Sequence, residues 1–195
     1  SEWARVLSRL LGGVEVAGWL HRVSATILIL VFLVHLARVL HQLLIQRDTS
    51  AIWGPSSMVP QPRDVVECVG HVKWFLGLGP RPRFGRYTYW EKFDYWAVFW
   101  GMGIIGISGL MLWFPMAFAR VLPGWIFNIA MLVHGEEALL AVVFIFTVHF
   151  FNTHMRPEKF PMDPVIFTGR LSEDELRDER PAEFDQLVAS GTLRD

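Results

Sequence analysis

The sequence predicts an all-α membrane protein: three transmembrane helices plus an interfacial amphipathic helix. Three observations carry that expectation. Of 195 residues, 52% are hydrophobic and 19% charged, against roughly 25% charged in a soluble domain. The shortfall is concentrated in three apolar runs, 20–45, 95–118 and 125–151, each reaching the ~20 residues that a membrane helix needs. Trp90, Trp96, Trp113 and Trp125 stand near the ends of these runs, where tryptophan is enriched at membrane–water interfaces.

Taken in order, residues 1–19 form an N-terminal periplasmic or interfacial segment. The run 20–45 is interrupted by Arg22, His35, Arg38 and His41. It is too long for a signal peptide and lacks a small-residue cleavage site. The connection 46–92 is rich in Pro and Gly at its ends. Its apolar section 65–78 carries Glu67, His71 and Lys73 and is too short to span, which suits an amphipathic helix at the interface. The run 95–118 holds no charge. The run 125–151 is broken by His134, Glu136, Glu137 and His149. The tail 156–195 is polar and acidic, with a helix expected at 172–180 from its S-E-D-E start, which resembles a capping box. The expected division is therefore an N-terminal segment (1–19), a transmembrane domain (20–155, with its loop 46–92) and a tail (156–195).

Positive charge near helix ends sets orientation. Arg47, Arg63, Lys73, Arg81, Arg83, Arg86 and Lys92 lie in the long connection, Arg156 and Lys159 open the tail, and the turn 119–124 has Arg120 alone. Loop and tail are expected in the cytoplasm of a bacterial cell, with the chain multi-pass in the inner membrane. Arg5 and Arg9 point weakly the other way. Three crossings then make the first and third helices parallel. A net charge of −1, from 18 Lys+Arg and 19 Asp+Glu, offers no basic surface for nucleic acid. The single cysteine, Cys68, excludes an internal disulfide framework, a cysteine-rich zinc site and a four-cysteine iron–sulfur cluster. There is no C-x-x-C-H for a covalently attached haem.

Ionisable groups inside a bilayer are costly and are functional candidates. His21 and His35 are fourteen residues apart, four helical turns less roughly 40°, so they share a face about 21 Å apart along the axis. His134 and His149 are fifteen apart, four turns plus roughly 60°, about 22 Å apart. Parallel helices bring His21 level with His134 and His35 level with His149. Two facing imidazoles at two depths predict two bis-histidine haem b sites in a helical bundle. Imidazole at both axial positions leaves the iron no open site for oxygen chemistry, so such a haem passes electrons. A single membrane histidine has a plainer reading as a hydrogen-bonded core residue or an anchor; four at matched depths argue against it.

Other residues keep two readings. Arg22 and Arg38 pair either with haem propionates or with lipid phosphate. Gly103, Gly106 and Gly109 recur every third residue and serve either close helix packing or a flat haem. The G-x-G-x-x-G that they complete with Gly101 follows no strand, so it is not a dinucleotide site. Glu136 and Glu137 are proton-relay groups or a water-facing helix start. His41 and His154 are spare ligands, propionate partners, part of a quinone pocket or interfacial residues. Nothing in the sequence sets His71 apart from a surface residue.

The stretches R-Y-T-Y-W-E-K-F-D-Y-W (86–96), S-G-L-M-L-W-F-P (108–115), L-V-H-G-E-E-A-L-L-A (132–141) and H-F-F-N-T-H-M (149–155) resemble the gamma subunit of respiratory formate dehydrogenase. That di-haem cytochrome b family also includes membrane subunits of nickel–iron hydrogenases. L-H-R-V-S-A (20–25) is similar to the start of the family's second membrane helix, and the likeness covers about 20–169. It implies electron transfer between an outer-face partner and the membrane quinone pool. His21 and His134 would ligate the outer haem and His149 the inner one. A quinone site beside the inner haem would map to Tyr87, Thr88, Trp90, Glu91 and Lys92. Thr88 and Trp90 replace the family's usual Asn and Gly. The family's first helix, which donates the remaining inner-haem ligand, has no counterpart here. Either His35 replaces that ligand or a helix upstream supplies it. Two ligands on each of two parallel helices also resembles the cytochrome b of quinol–cytochrome c complexes.

The expected function is that of a di-haem membrane subunit exchanging electrons between menaquinone or ubiquinone and a separate partner, an iron–sulfur subunit or a multihaem c-type cytochrome. Two competitors stand beside it: a transmembrane electron wire without a quinone site, and a non-redox anchor or proton-path subunit.

Overall fold

The computed structural model describes residues 2–157 and 159–193. Their regular structure is helical throughout, and three helices are long and apolar enough to cross a membrane: Val14–Leu44, Tyr89–Trp113 and Trp125–Met155. The chain falls into two compact units that divide between Arg47 and Asp48.

The first unit holds α1 (Glu2–Leu10) and α2 (Val14–Leu44). Gly12 and Gly13 turn the chain between them at φ +89° and +105°, a backbone region that residues with a Cβ rarely enter. α2 starts six residues before the apolar run does. Its 31 residues rise about 46 Å, more than the ~30 Å hydrocarbon thickness, so its ends have length to spare. None of its residues is buried within the chain, as suits a helix whose apolar surface is solvated by lipid.

In the second unit, a 3₁₀ turn (Thr49–Ala51) leads to α3 (Pro62–Phe75). α3 is the short helix expected at 65–78, displaced three residues upstream. Pro62 occupies its first turn and the Asp64 carboxylate accepts from the Gln61 N–H at 2.5 Å, closing a cap on the backbone donors that a helix start leaves unpaired. α4 (Tyr89–Trp113) begins before the apolar run for a similar reason. Glu91 N donates to Thr88 Oγ1 at 3.4 Å, and the Glu91 carboxylate accepts from the Thr88 N–H at 2.8 Å. The helix therefore opens on Glu91, Lys92 and Asp94 before its charge-free stretch. It stops at Trp113, five residues short of the expected end. Pro115 drives Phe114 out of the helical region (ψ 55°) and starts the one-turn helix α5 (Pro115–Phe118).

α6 (Trp125–Phe144) runs on through two π-helical turns, Ile145–His149 and Phe151–Met155. It packs antiparallel on α4, since Phe93 meets Phe144 while Gly109 meets His134. Ser108, Met111 and Ala130 are buried along this seam. The tail carries α7 (Val165–Thr168), α8 (Glu173–Glu179) and α9 (Pro181–Ala189). α8 matches the helix expected at 172–180, with Ser172 Oγ accepting from Glu175 N.

Candidate functional site

His134 sits on α6 against α4. Its Nδ1 lies 3.1 Å from the Ile105 carbonyl and 3.1 Å from Ser108 Oγ. The Ser108 hydroxyl donates to the Ile104 carbonyl at 2.7 Å. A carbonyl only accepts, so in the neutral ring Nδ1 carries the proton and Nε2 the lone pair. Close approach at this point depends on Gly109, where an added Cβ would stand 3.0 Å from His134 Cε1. Gly101 serves the same seam, with its Cβ position 3.3 Å from Glu137 Oε1, whereas Gly103 and Gly106 face open space. The glycine stripe is thus divided: Gly101 and Gly109 pack, and Gly103 and Gly106 do not.

His149 closes the first π turn. Its Nδ1 lies 3.2 Å from Asp94 Oδ2 on α4. A π turn, bonded i to i+5, takes more residues per revolution than an α turn. The 60° offset expected between His134 and His149 for a regular helix therefore shrinks, and both rings address α4. Thr147 and Thr153 donate to the carbonyls four residues back, Val143 at 2.6 Å and His149 at 2.8 Å, a bond that bends helices. His154, on the second π turn, packs edge-on against Phe150 with centroids 5.9 Å apart.

His21, Arg22, His35 and Arg38 all lie on the continuous helix α2 of the first unit. His134 and His149 lie on the continuous span Trp125–Met155 of the second. Each histidine pair thus lies along one continuous helix.

At the end of the second unit nearest Thr88, the loop, α4, the π segment and the tail surround a cavity of about 520 Å³. Tyr87, Thr88, Trp90 and Glu91 line it. Lys92 does not: it is 1% exposed and donates to both oxygens of Asp64 at 2.8 and 2.9 Å, joining α3 to α4. Asp94 lines the same cavity, with Asn152 and Thr153 from the second π turn and Arg156, which follows it. Glu91 is engaged by the Thr88 N–H and hydroxyl and by Arg180 at 2.7 Å.

The tail forms the far wall. Ala182 N donates to the Phe84 carbonyl at 3.1 Å, and Arg83–Asp185 and Arg86–Glu183 pair at 2.5 and 3.3 Å. Lys159, 4% exposed, pairs with Glu175, with Asp163 at 3.1 Å and with Glu179 at 3.4 Å. Burial opposes its charge, yet the hydrogen bonds to Glu175 and Asp163 and the Glu179 carboxylate outweigh that and raise its pKa above the usual lysine range.

Beside this cavity, His71 is enclosed by rings. Phe75 and Trp74 stack on it at 4.6 and 5.5 Å, Phe84 and Trp90 lie 5.2 and 5.4 Å away, and Tyr89 Oη is 3.1 Å from its Nδ1. Burial, then the Arg81 charge, lowers its pKa. Asp94, the His71 enclosure and the tail wall were not expected from sequence. The one available signal for Asp94 was its place in K-F-D-Y-W, a carboxylate just ahead of a spanning run. No protein-family model, characterised protein or solved structure matches the chain.

Proposed function

We propose that the chain is a di-haem b-type cytochrome, the membrane subunit of a respiratory redox complex. The observation that supports it best is that His134 and His149 stand on one spanning helix, and each is held through Nδ1 by an acceptor on α4. Metal-ligating histidines almost always engage their second nitrogen in this way, which fixes the tautomer and aims Nε2 at the metal. Each of these two histidines is thereby suited to present Nε2 to a haem iron. In this reading His21 would be the second ligand of the outer haem, with His134, and His35 that of the inner haem, with His149, as their spacing along α2 suggests. Bound there, haem supplies one-electron transfer with no open coordination site. The likeness to the formate dehydrogenase gamma family, carried by the motifs quoted above, points the same way.

The chain's own residues divide the work. Ser108 and the Ile105 carbonyl orient His134, Gly109 lets it approach α4, and Asp94 orients His149. Tyr87, Thr88, Trp90 and Glu91 line a cavity large enough for a quinone head group, in the 300–1,000 Å³ range of small-molecule sites. In this reading menaquinone or ubiquinone reacts there on the cytoplasmic side. A partner outside, an iron–sulfur subunit or a multihaem c-type cytochrome, exchanges electrons through the outer haem. Arg22 and Arg38 pair with propionates.

The decisive experiment is a reduced-minus-oxidised spectrum with a pyridine haemochrome count on the purified chain. Two b haems per polypeptide are expected, with one lost in His35→Ala. One haem in the unaltered chain means that His35 is not a ligand. No haem in a folded preparation overturns the reading and leaves the anchor or proton-path alternative. One observation favours a wire without a quinone site: Glu91 and Lys92 are both engaged inside the protein, by Thr88, Arg180 and Asp64. Inhibitor-sensitive quinol oxidation by the haem-loaded chain would exclude that second reading.

A further inference from the structure

The two histidines of the span Trp125–Met155 have chemically different partners at Nδ1. His134 Nδ1 meets a carbonyl and a hydroxyl, both neutral. His149 Nδ1 meets the Asp94 carboxylate at 3.2 Å. Asp94 is 18% exposed on its side chain, and its other oxygen, Oδ1, is buried with no hydrogen-bond partner. A carboxylate placed this way, one oxygen on an imidazole and the other unserved, is poorly satisfied for its own sake. Lys92 is engaged with Asp64 instead, and of the cations that line the cavity with Asp94, Arg180 pairs with Glu91 and Arg156 with Glu179 at 3.6 Å.

We infer that Asp94 is a positioning residue for the inner haem. Its carboxylate holds the His149 ring through Nδ1 and lowers that haem's midpoint potential relative to the same site with a neutral partner. The inference rests on the haem reading above. An anionic acceptor strengthens the hydrogen bond and makes the imidazole a more basic ligand. A more basic ligand favours the ferric state, which carries one positive charge more than the ferrous state. The couple itself is a one-electron change at iron, with the electron supplied in a titration by dithionite.

The test is a redox titration of the full chain, purified in detergent with its haems, comparing the unaltered protein with Asp94→Asn. The amide keeps the shape and loses the charge. The expected result is an unchanged haem count, with one of the two potentials raised by about tenfold in the reduction equilibrium, ~59 mV for a one-electron couple, and the other unmoved. An unchanged pair of potentials in Asp94→Asn overturns the inference while leaving the haem reading intact. No haem in the unaltered chain fails the haem reading and takes the inference with it. If Asp94→Asn sheds the inner haem, Asp94→Glu decides. Retention of that haem at its original potential supports a role for the charge, and loss of the haem from both variants overturns it.

Discussion

At the scale of single residues, the Lys92–Asp64 pair shows how burial decides role. Lys92 was expected at a quinone, yet an ammonium 1% exposed cannot meet a ligand, and it is there because Asp64 compensates it. Removing one partner of a buried pair leaves an uncompensated charge and costs about 3–5 kcal/mol. Lys92→Met is therefore expected to lower the thermal midpoint of the detergent-solubilised protein sharply. Lys92→Met with Asp64→Asn should recover much of the loss, because a buried amide is cheaper than a buried carboxylate. A drop in the single variant no larger than in the double would refute the pairing argument. His71 lends itself to a pH experiment. Its folded pKa lies below the ordinary 6.5, so the unfolded ring binds protons more readily. Stability from the ring cluster is then fully present above about pH 6.5 and lost as pH falls through the lowered folded value. Labelling of Cys68, one turn away on α3, is expected to accelerate on acidification over that window and to become pH-flat in His71→Phe after correction for intrinsic thiol reactivity. Neither residue's role was legible in sequence, because both depend on contacts between α3 and α4 that hydropathy does not encode.

At the scale of elements, the three spans were legible because each is a long apolar run, and the physics that sets their ends was less so. The Thr88–Glu91 cap pulled the start of α4 into a charged segment, and Pro115 cut its end. The π turns left no mark that a 3.6-residue rhythm would reveal, although they change which face His149 takes. The glycines of α4 put the packing argument to a direct test. At Gly109 an added methyl would press on His134, and two hydrogen bonds to α4 keep that ring from yielding. Gly109→Ala is expected to destabilise by roughly 1–3 kcal/mol and, where haem is bound, to alter the spectrum of the His134 haem. Gly103→Ala and Gly106→Ala, with nothing within 4 Å, should be neutral or stabilising by about 0.5–1 kcal/mol. Paired melting curves and difference spectra on the three variants separate these outcomes. Equal effects at all three positions would mean that the stripe acts as a whole.

At the scale of the molecule, the tail is what sequence reading understood least. A polar, acidic segment gives no hydropathy signal, and its partners Arg83, Arg86 and Glu91 lie 102, 97 and 89 residues away. Only the pairing of opposite charges between two polar segments specifies the match, and sequence composition leaves such pairings degenerate. The contacts have unequal weight. Arg83–Asp185 is more than half exposed on both sides, and such pairs contribute about 0–1 kcal/mol. Lys159, by contrast, is buried beneath three carboxylates, and Arg180 reaches Glu91 at the cavity wall. If the tail closes the cavity, loosening those two anchors should expose the cavity without disturbing the spans. Lys159→Met with Arg180→Ala is expected to make 170–193 rapidly cleaved by added protease. The same variant should raise the KM for a quinol analogue several-fold while kcat and the haem count stay near their original values, the pattern of lost binding rather than lost chemistry. A faster-cleaved tail with an unchanged KM would show that it shields the loop without shaping a quinone site, and would favour the wire reading over the quinone one.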